Sequence, residues 1–114
     1  MTNAFTKQGR VLTPHQLMDL FNLSDDAEFI GNVILVEESS GYLSSIRDHL
    51  GETLSTYDTR REYALVYSSY QEAEADAIKL NKSTRIGFLF DLSDELKVFT
   101  ENDINKKDND VLSQ

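Results

Sequence analysis

The sequence predicts an α/β domain: a small mixed four-stranded sheet in the order β-α-β-α-β-β, preceded by an N-terminal helix, with an α+β two-layer sandwich as the alternative. Three observations predict it. Residues 33–36, 63–67 and 86–90 are short apolar, β-branched or aromatic runs, the pattern of strands covered on both faces. Segments with apolar residues at helical spacing lie between them. Strands separated by helices favour parallel neighbours joined by right-handed crossovers.

The first helix opens at Thr13. Thr13 stands at the N-cap, Pro14 at the first helical position and Gln16 where a capping box takes Glu or Gln. Leu12 and Leu17 are placed as a hydrophobic staple, Leu17, Leu20 and Phe21 share a face, and the helix is expected to reach about Leu23, before Ser24, Asp25 and Asp26. The strand over 33–36 ends on Glu37 and Glu38. Residues 39–51 read as a helix, because Leu43, Ile46 and Leu50 recur at helical spacing and Gly51 follows as a stop. Residues 52–61 are polar and allow at most a short edge strand.

Residues 63–67 read as the second buried strand. Ser69 and Glu72 then form a capping box opening a helix with Tyr70, Ala73, Ala77 and Leu80 on one face and Glu72 and Asp76 on another. Lys79 and Lys82 fall near its C-terminal end, where they favour the helix dipole. Residues 86–90 are the third strand. Residues 96–100, with Glu95 and Lys97 alternating against Leu96 and Val98, are a fourth, at an edge and joined to the third by a hairpin. Residues 101–114 lack periodicity and are expected to be a flexible tail, as is the arm over 1–11. A length of 114 residues predicts one domain.

The net charge is −9, from 20 acidic and 11 basic residues. That balance argues against gripping a nucleic-acid backbone, which takes Lys and Arg, and favours a basic partner or a cation. There is no cysteine, which excludes disulfides, thiolate catalysis and cysteine-ligated zinc. The N-terminus lacks the features of a secretory signal and no apolar run is long enough to cross a bilayer, so the expectation is a cytoplasmic protein away from the membrane. His15 and His49 have no ligand-spaced partners, no serine lies in a nucleophile-elbow pattern, and Gly31, Gly41 and Gly87 are isolated rather than part of a phosphate loop. Arg60 and Arg61 read as a solvated pair. Gly87, inside a strand, marks a close approach or a bulge.

Parallel strands would gather their carboxyl ends on one rim: Glu37, Glu38, Ser39 and Ser40, then Ser68 and Ser69, then Asp91, Ser93 and Asp94. Such oxygen ligands suit Mg²⁺ or Ca²⁺. An acidic pair closing one strand, followed by helix, strand, helix and a strand ending in Asp91, resembles the first half of response-regulator receiver domains over about residues 32–91. The resemblance implies that Glu37 and Glu38 hold Mg²⁺ and that Asp91 is the phosphoryl acceptor. Here the pair is Glu-Glu, and too little chain follows Asp91 for the Ser/Thr- and Lys-bearing units of that family, so the implied site is a degenerate one. On its own chemistry, Asp91 in the segment Asp91-Leu92-Ser93-Asp94 opens a tight turn, its side chain accepting from nearby backbone amides.

The acids fall into three sequence clusters: Asp19, Asp25, Asp26 and Glu28; Glu72, Glu74 and Asp76; and Asp91, Asp94, Glu95, Glu101 and Asp103. The plain reading is a solvated surface. The sharper one is a face complementary to a basic protein surface of the kind that grips nucleic acid, carried by Asp25, Asp26, Glu72, Asp76 and Asp94, with an aromatic anchor among Tyr42, Tyr57 and above all Tyr70. In size and charge, though not in motif, the chain resembles immunity proteins and phage- or plasmid-borne inhibitors of host defence. The leading expectation is therefore a non-enzymatic acidic inhibitor or regulator without a cofactor. The alternatives are a receiver-like, Mg²⁺-binding regulatory domain and a purely structural subunit of a larger assembly.

Overall fold

The structure, a computed structural model, describes residues 4–5, 11–38 and 41–112. Two short strands, β1 (Ala4–Phe5) and β2 (Val11–Leu12), pair antiparallel ahead of helix α1 (Pro14–Leu20). The rest of the expected arm, with Leu12's side of the staple, lies outside the described residues and side chains. The α1 cap forms as its sequence dictates: the Gln16 amide donates to the Thr13 hydroxyl at 3.2 Å, and the Thr13 amide donates to the Gln16 side-chain oxygen at 2.9 Å. The helix stops at Leu20, short of Leu23, because Asn22 turns left-handed at φ 53°.

Five strands form the main sheet: β3 (Glu28–Val36), β4 (Gly41–His49), β5 (Glu52–Asp58), β6 (Thr84–Asp91) and β7 (Leu96–Thr100). Their spatial order is β5-β4-β3-β6-β7, and every neighbouring pair is antiparallel. This corrects the expectation of four strands with parallel neighbours. Residues 41–49, expected as a helix, are strand β4, so β3-β4-β5 is a meander where a β-α-β unit was read. The expected edge strand over 52–61 is β5, and the β6–β7 hairpin is as expected.

Residues 63–67 are not a regular strand either. They leave a 3₁₀ turn (Arg61–Tyr63); the Leu65 amide donates to the Leu43 carbonyl of β4 at 2.8 Å, and Tyr67 exchanges both backbone hydrogen bonds with Asn32 of β3 at 2.8 and 2.9 Å. They stand in for β4, which pairs with β3 only at Leu35–Tyr42 and Val36–Gly41 and then leaves it. Gly31 permits the approach: at φ +155° a Cβ there would lie 2.5 Å from both the Tyr67 carbonyl oxygen and a Val66 methyl. Gly87 instead makes room for side chains, since a Cβ would meet Leu35 at 2.9 Å and Val33 at 3.1 Å.

Helix α2 (Tyr70–Leu80) takes its cap from Ser69, whose hydroxyl accepts from the Glu72 amide at 3.2 Å, and ends on Asn81 at φ 52°. Helix α3 (Glu101–Leu112) occupies what the sequence reading left as an unpatterned tail. Thr100 and Asp103 start it reciprocally, the Thr100 amide donating to Asp103 at 2.9 Å and the Asp103 amide to Thr100 at 3.4 Å, and Ile104 pins it to the core.

Ile86, Phe88 and Phe90 alternate along β6 and so share one face of the sheet. Over Phe88 and Phe90 pack Leu17 of α1, Ile104 of α3 and Phe99 of β7; over Ile86 and its neighbour Ile34 pack Ala73 and Ala77 of α2 with Leu43 and Tyr67. Each large side chain buried here contributes roughly 1.5–3 kcal/mol. Among the described residues the architecture is a mixed α/β one with a five-stranded antiparallel sheet and three α-helices, for which the α+β alternative is the closer description.

Candidate functional site

In the β3–β6 ladder Glu28 lies opposite Asp91 and Val36 opposite Thr84, so the start of β3 and the β6–β7 turn form one end of the sheet. Two clusters more than sixty residues apart in the sequence thus become neighbours: Asp25, Asp26 and Glu28 on one side, Asp91, Asp94 and Glu95 on the other. Local bonds hold both. The Ser24 hydroxyl accepts from the Asp26 amide at 3.2 Å, and the Ala27 amide donates to the Ser24 carbonyl at 3.0 Å with Ala27 buried. Across from it, Asp91 accepts from the Ser93 amide at 2.9 Å and the Leu92 amide donates to the Glu95 carbonyl at 2.8 Å. Ser93 takes φ 78°, and Leu92 packs on the core beneath. Asp91 therefore opens a turn, as its local chemistry predicts.

Five of these six carboxylates are exposed and Asp91 is half-buried. Among the described residues none of the six is in an ion pair. The bordering cations are engaged elsewhere: Arg61 donates to the Leu96 carbonyl at 2.7 Å, and the Lys97 ammonium sits 5.5 Å from the centre of the Phe99 ring. Each like-charge pair 10 Å apart opposes the other by about 0.4 kcal/mol in water, so an approaching cationic surface relieves several such terms at once.

The other expected site residues are placed differently. Glu72 is exposed and takes a long hydrogen bond from Ser68 at 3.3 Å. Asp76 accepts from the Tyr67 hydroxyl at 2.6 Å and lies 3.6 Å from Lys79, so it holds α2 to the 63–67 segment. Tyr70 is half-buried and packs against both parts of the core. Its ring lies 6.1 Å from that of Phe88, its hydroxyl donates to Glu101, and burial first, then Glu101, pushes its pKa above the ordinary phenol value. Tyr67 is raised in the same way, by burial and then Asp76. Tyr42 and Tyr57 are half-buried, and Lys82 sits 4.9 Å above the Tyr57 ring. The aromatic that sequence reasoning missed is Tyr63, 56% exposed with the Arg60 guanidinium 4.2 Å over its ring. It was hidden inside a run read as a buried strand.

Glu37 and Glu38 lie at the far end of β3 from Asp91. Nine residues of strand at about 3.4 Å each put them roughly 30 Å away. Glu37 accepts from the Ser83 hydroxyl at 2.7 Å and from Arg85; the Ser83 bond first, then Arg85, holds its pKa below the usual carboxylate range. The fold therefore does not bring the acidic pair and Asp91 together, and the single rim expected from parallel strands is not built. Ser39 and Ser40 lie outside the described residues. Among the described residues no group of three or more His, Asp or Glu is arranged to hold a metal ion, and no helix is long and apolar enough to cross a membrane.

A cleft of about 560 Å³ opens between the end of α2, the start of β6 and the start of α3, lined in part by Ile78, Lys82, Arg85 and Glu101. Three of its charged groups already have partners: Lys82 on Tyr57, Arg85 with Glu37 and Glu101 with Tyr70. His15 lies 3.9 Å from Asp19 on α1, and His49 ends β4 at the opposite side of the sheet from the β6 strand. No family model, no curated protein and no solved structure matches the chain.

Proposed function

We propose that the chain is a non-enzymatic interaction protein that binds a basic protein surface and so inhibits or regulates the partner that bears it. The observation that carries this reading is the joining of two distant acidic clusters at one end of the sheet, on turns fixed by local hydrogen bonds, with no ion pair among the described residues. A fixed, unneutralised field of this kind speeds capture of a basic partner, while specificity comes from the apolar and aromatic contacts around it. The contact face is Asp25, Asp26, Glu28, Asp94 and Glu95, with Glu72 a candidate at the start of α2; Asp76 and Tyr70 act in the fold rather than at the interface.

The test is capture of a partner by the immobilised chain from its native cell, followed by kinetics against salt. One stoichiometric protein with a basic face is expected. Replacing Asp25, Asp26 and Asp94 together by Lys is expected to slow association about ten-fold at low salt and to flatten its salt dependence, while dissociation changes less. Association that is unchanged by the triple substitution removes this face as the site.

A further inference from the structure

The sheet ends on two edge strands, and one of them is left open among the described residues. β5 runs seven residues, Glu52–Asp58, with no Pro and no Lys, the devices that usually blunt an edge. It is closed to β4 by a two-residue turn whose central residues, Leu50 and Gly51, have φ 51° and 80°. In such a hairpin the closing pair, His49–Glu52, exchanges hydrogen bonds and the pairs then alternate. The register sets Thr53 opposite Asp48 and Ser55 opposite Ile46 in the non-bonded positions. The N–H and C=O groups of Thr53 and Ser55 therefore point away from β4. Among the described residues no backbone group pairs with them. The ribbon is also stiffened: the Thr56 hydroxyl is hydrogen-bonded to Ser44 at 2.8 Å and Ser45 at 2.6 Å, and Thr53 donates to Asp48 at 3.2 Å.

We infer that the free edge of β5 is a docking strand, to which the partner adds an extended segment carrying basic side chains. This rests on the basic-partner reading above and names its mode of contact. Backbone groups facing outward from a preformed strand select an extended peptide. Charge selects which one. The two charged side chains of β5, Glu52 and Asp58, are both acidic; Asp58 is paired with Arg60, while Glu52 is in no ion pair among the described residues. A second copy of this chain, paired antiparallel about Ser55, would set Glu52 against Asp58 at both ends, between molecules of net charge −9. A segment with Lys or Arg opposite Glu52 meets the opposite charge instead, within the field of a chain of net charge −9.

The experiment titrates the ¹⁵N-labelled full chain with a synthetic peptide, Lys-Thr-Val-Thr-Val-Thr-Lys, and with its counterpart in which both lysines are glutamates. With the lysine peptide, the Thr53 and Ser55 amides are expected to shift downfield and to exchange with solvent about ten-fold more slowly at saturation, as newly bonded amides do. The glutamate peptide is expected to bind about five-fold more weakly or worse. Thr53→Pro removes an outward N–H from an exposed position and is expected to abolish the response. Should that variant not fold, Glu52→Lys is expected to reverse the preference between the peptides. Shifts confined to residues 25–28 and 91–95, with β5 silent, overturn the edge proposal while leaving the basic-partner reading standing. Equal binding of both peptides at β5 overturns the basic character of the segment. Protection of Thr53 and Ser55 that grows with chain concentration alone assigns the edge to a second copy and overturns the proposal.

Discussion

At the β7 edge, Arg61 donates to the Leu96 carbonyl, Lys97 stands within five residues of strand, and the chain turns directly into α3. At the β5 edge, seven residues run without a covering backbone among the described residues, and most of their side chains meet solvent. The first edge lies over the tightest part of the core, where Phe99 packs 5.8 Å from Phe90 and 4.0 Å from Phe21. The second belongs to a ribbon that leaves β3 after two residue pairs. The contrast teaches that burial and edge protection go together here: the β7 edge, beside Phe88 and Phe90, is closed to strand addition, whereas of the open strand β5 itself Tyr57 is the side chain packed on the core among the described residues.

The largest expected effect tests that division. Ile104→Ala removes a fully buried side chain that ties α3 beneath β7 and is expected to cost about 3 kcal/mol. Leu54→Ala on β5, where the side chain is 37% exposed, is expected to cost less than about 1 kcal/mol. Urea denaturation of both variants measures the difference; equal losses break the contrast, because the ribbon would then be as much a part of the core as α3.

The same division explains what could be read in the sequence. On the core side, the Thr13 cap, the 86–90 run and the hairpin after Asp91 are local signals, and local chemistry decided them. On the ribbon side a β-bulge defeats periodicity. In β4 the register passes from Leu43–Tyr57 to Ser45–Thr56, so Ser44 is an extra residue and Leu43 and Ile46, three apart, both reach the α2 side of the core. A spacing of three reads as a helix. That one substitution of helix for strand turned a meander into a crossover, made the strands parallel, and gathered Glu37, Glu38 and Asp91 on a rim that does not exist. α3 was missed for the opposite reason. Ile104 is the one large apolar residue between 101 and 110, so no stripe is visible, though Thr100 and Asp103 had the spacing of a helix start. The joining of the acidic clusters was out of reach in principle, since it depends on which strands are neighbours.

A smaller effect sharpens the comparison at the tip of the ribbon. Leu50 is 90% exposed and holds φ 51°, a left-handed conformation that costs an ordinary side chain roughly 1–2 kcal/mol and Asn less. Leu50→Asn is expected to raise stability by about 0.5–1 kcal/mol, read as a higher urea midpoint at unchanged slope. A loss of stability would mean that Leu50 is packed in solution, against this chain or another copy of it, and the ribbon would no longer count as the open side.

The smallest effect lies at the other end of β5, where the edge strand is tied down by one ion pair. Arg60 donates to Asp58 from its side chain at 2.9 and 3.0 Å and from its backbone amide at 2.8 Å. The side-chain bonds first, then the amide, hold the Asp58 carboxyl at about 2, against an ordinary value of 3.8. Because the folded value lies below the unfolded one, the pair's contribution is present above pH 3.8 and is lost as the pH falls towards 2. The pair lies at the end of the edge strand, with Asp58 half-buried and Arg60 exposed, so this loosening is expected to stay local to the end of β5 and to leave the α3 side unchanged. Carbon-detected titration of the Asp58 carboxyl is expected to give a midpoint near 2, and Arg60→Ala to move it up towards 3.8, stopping short because the amide at position 60 still donates. A midpoint already at the ordinary value in the natural chain would mean that the clamp is absent, leaving β5 free at both ends rather than anchored where it enters the loop towards Arg61.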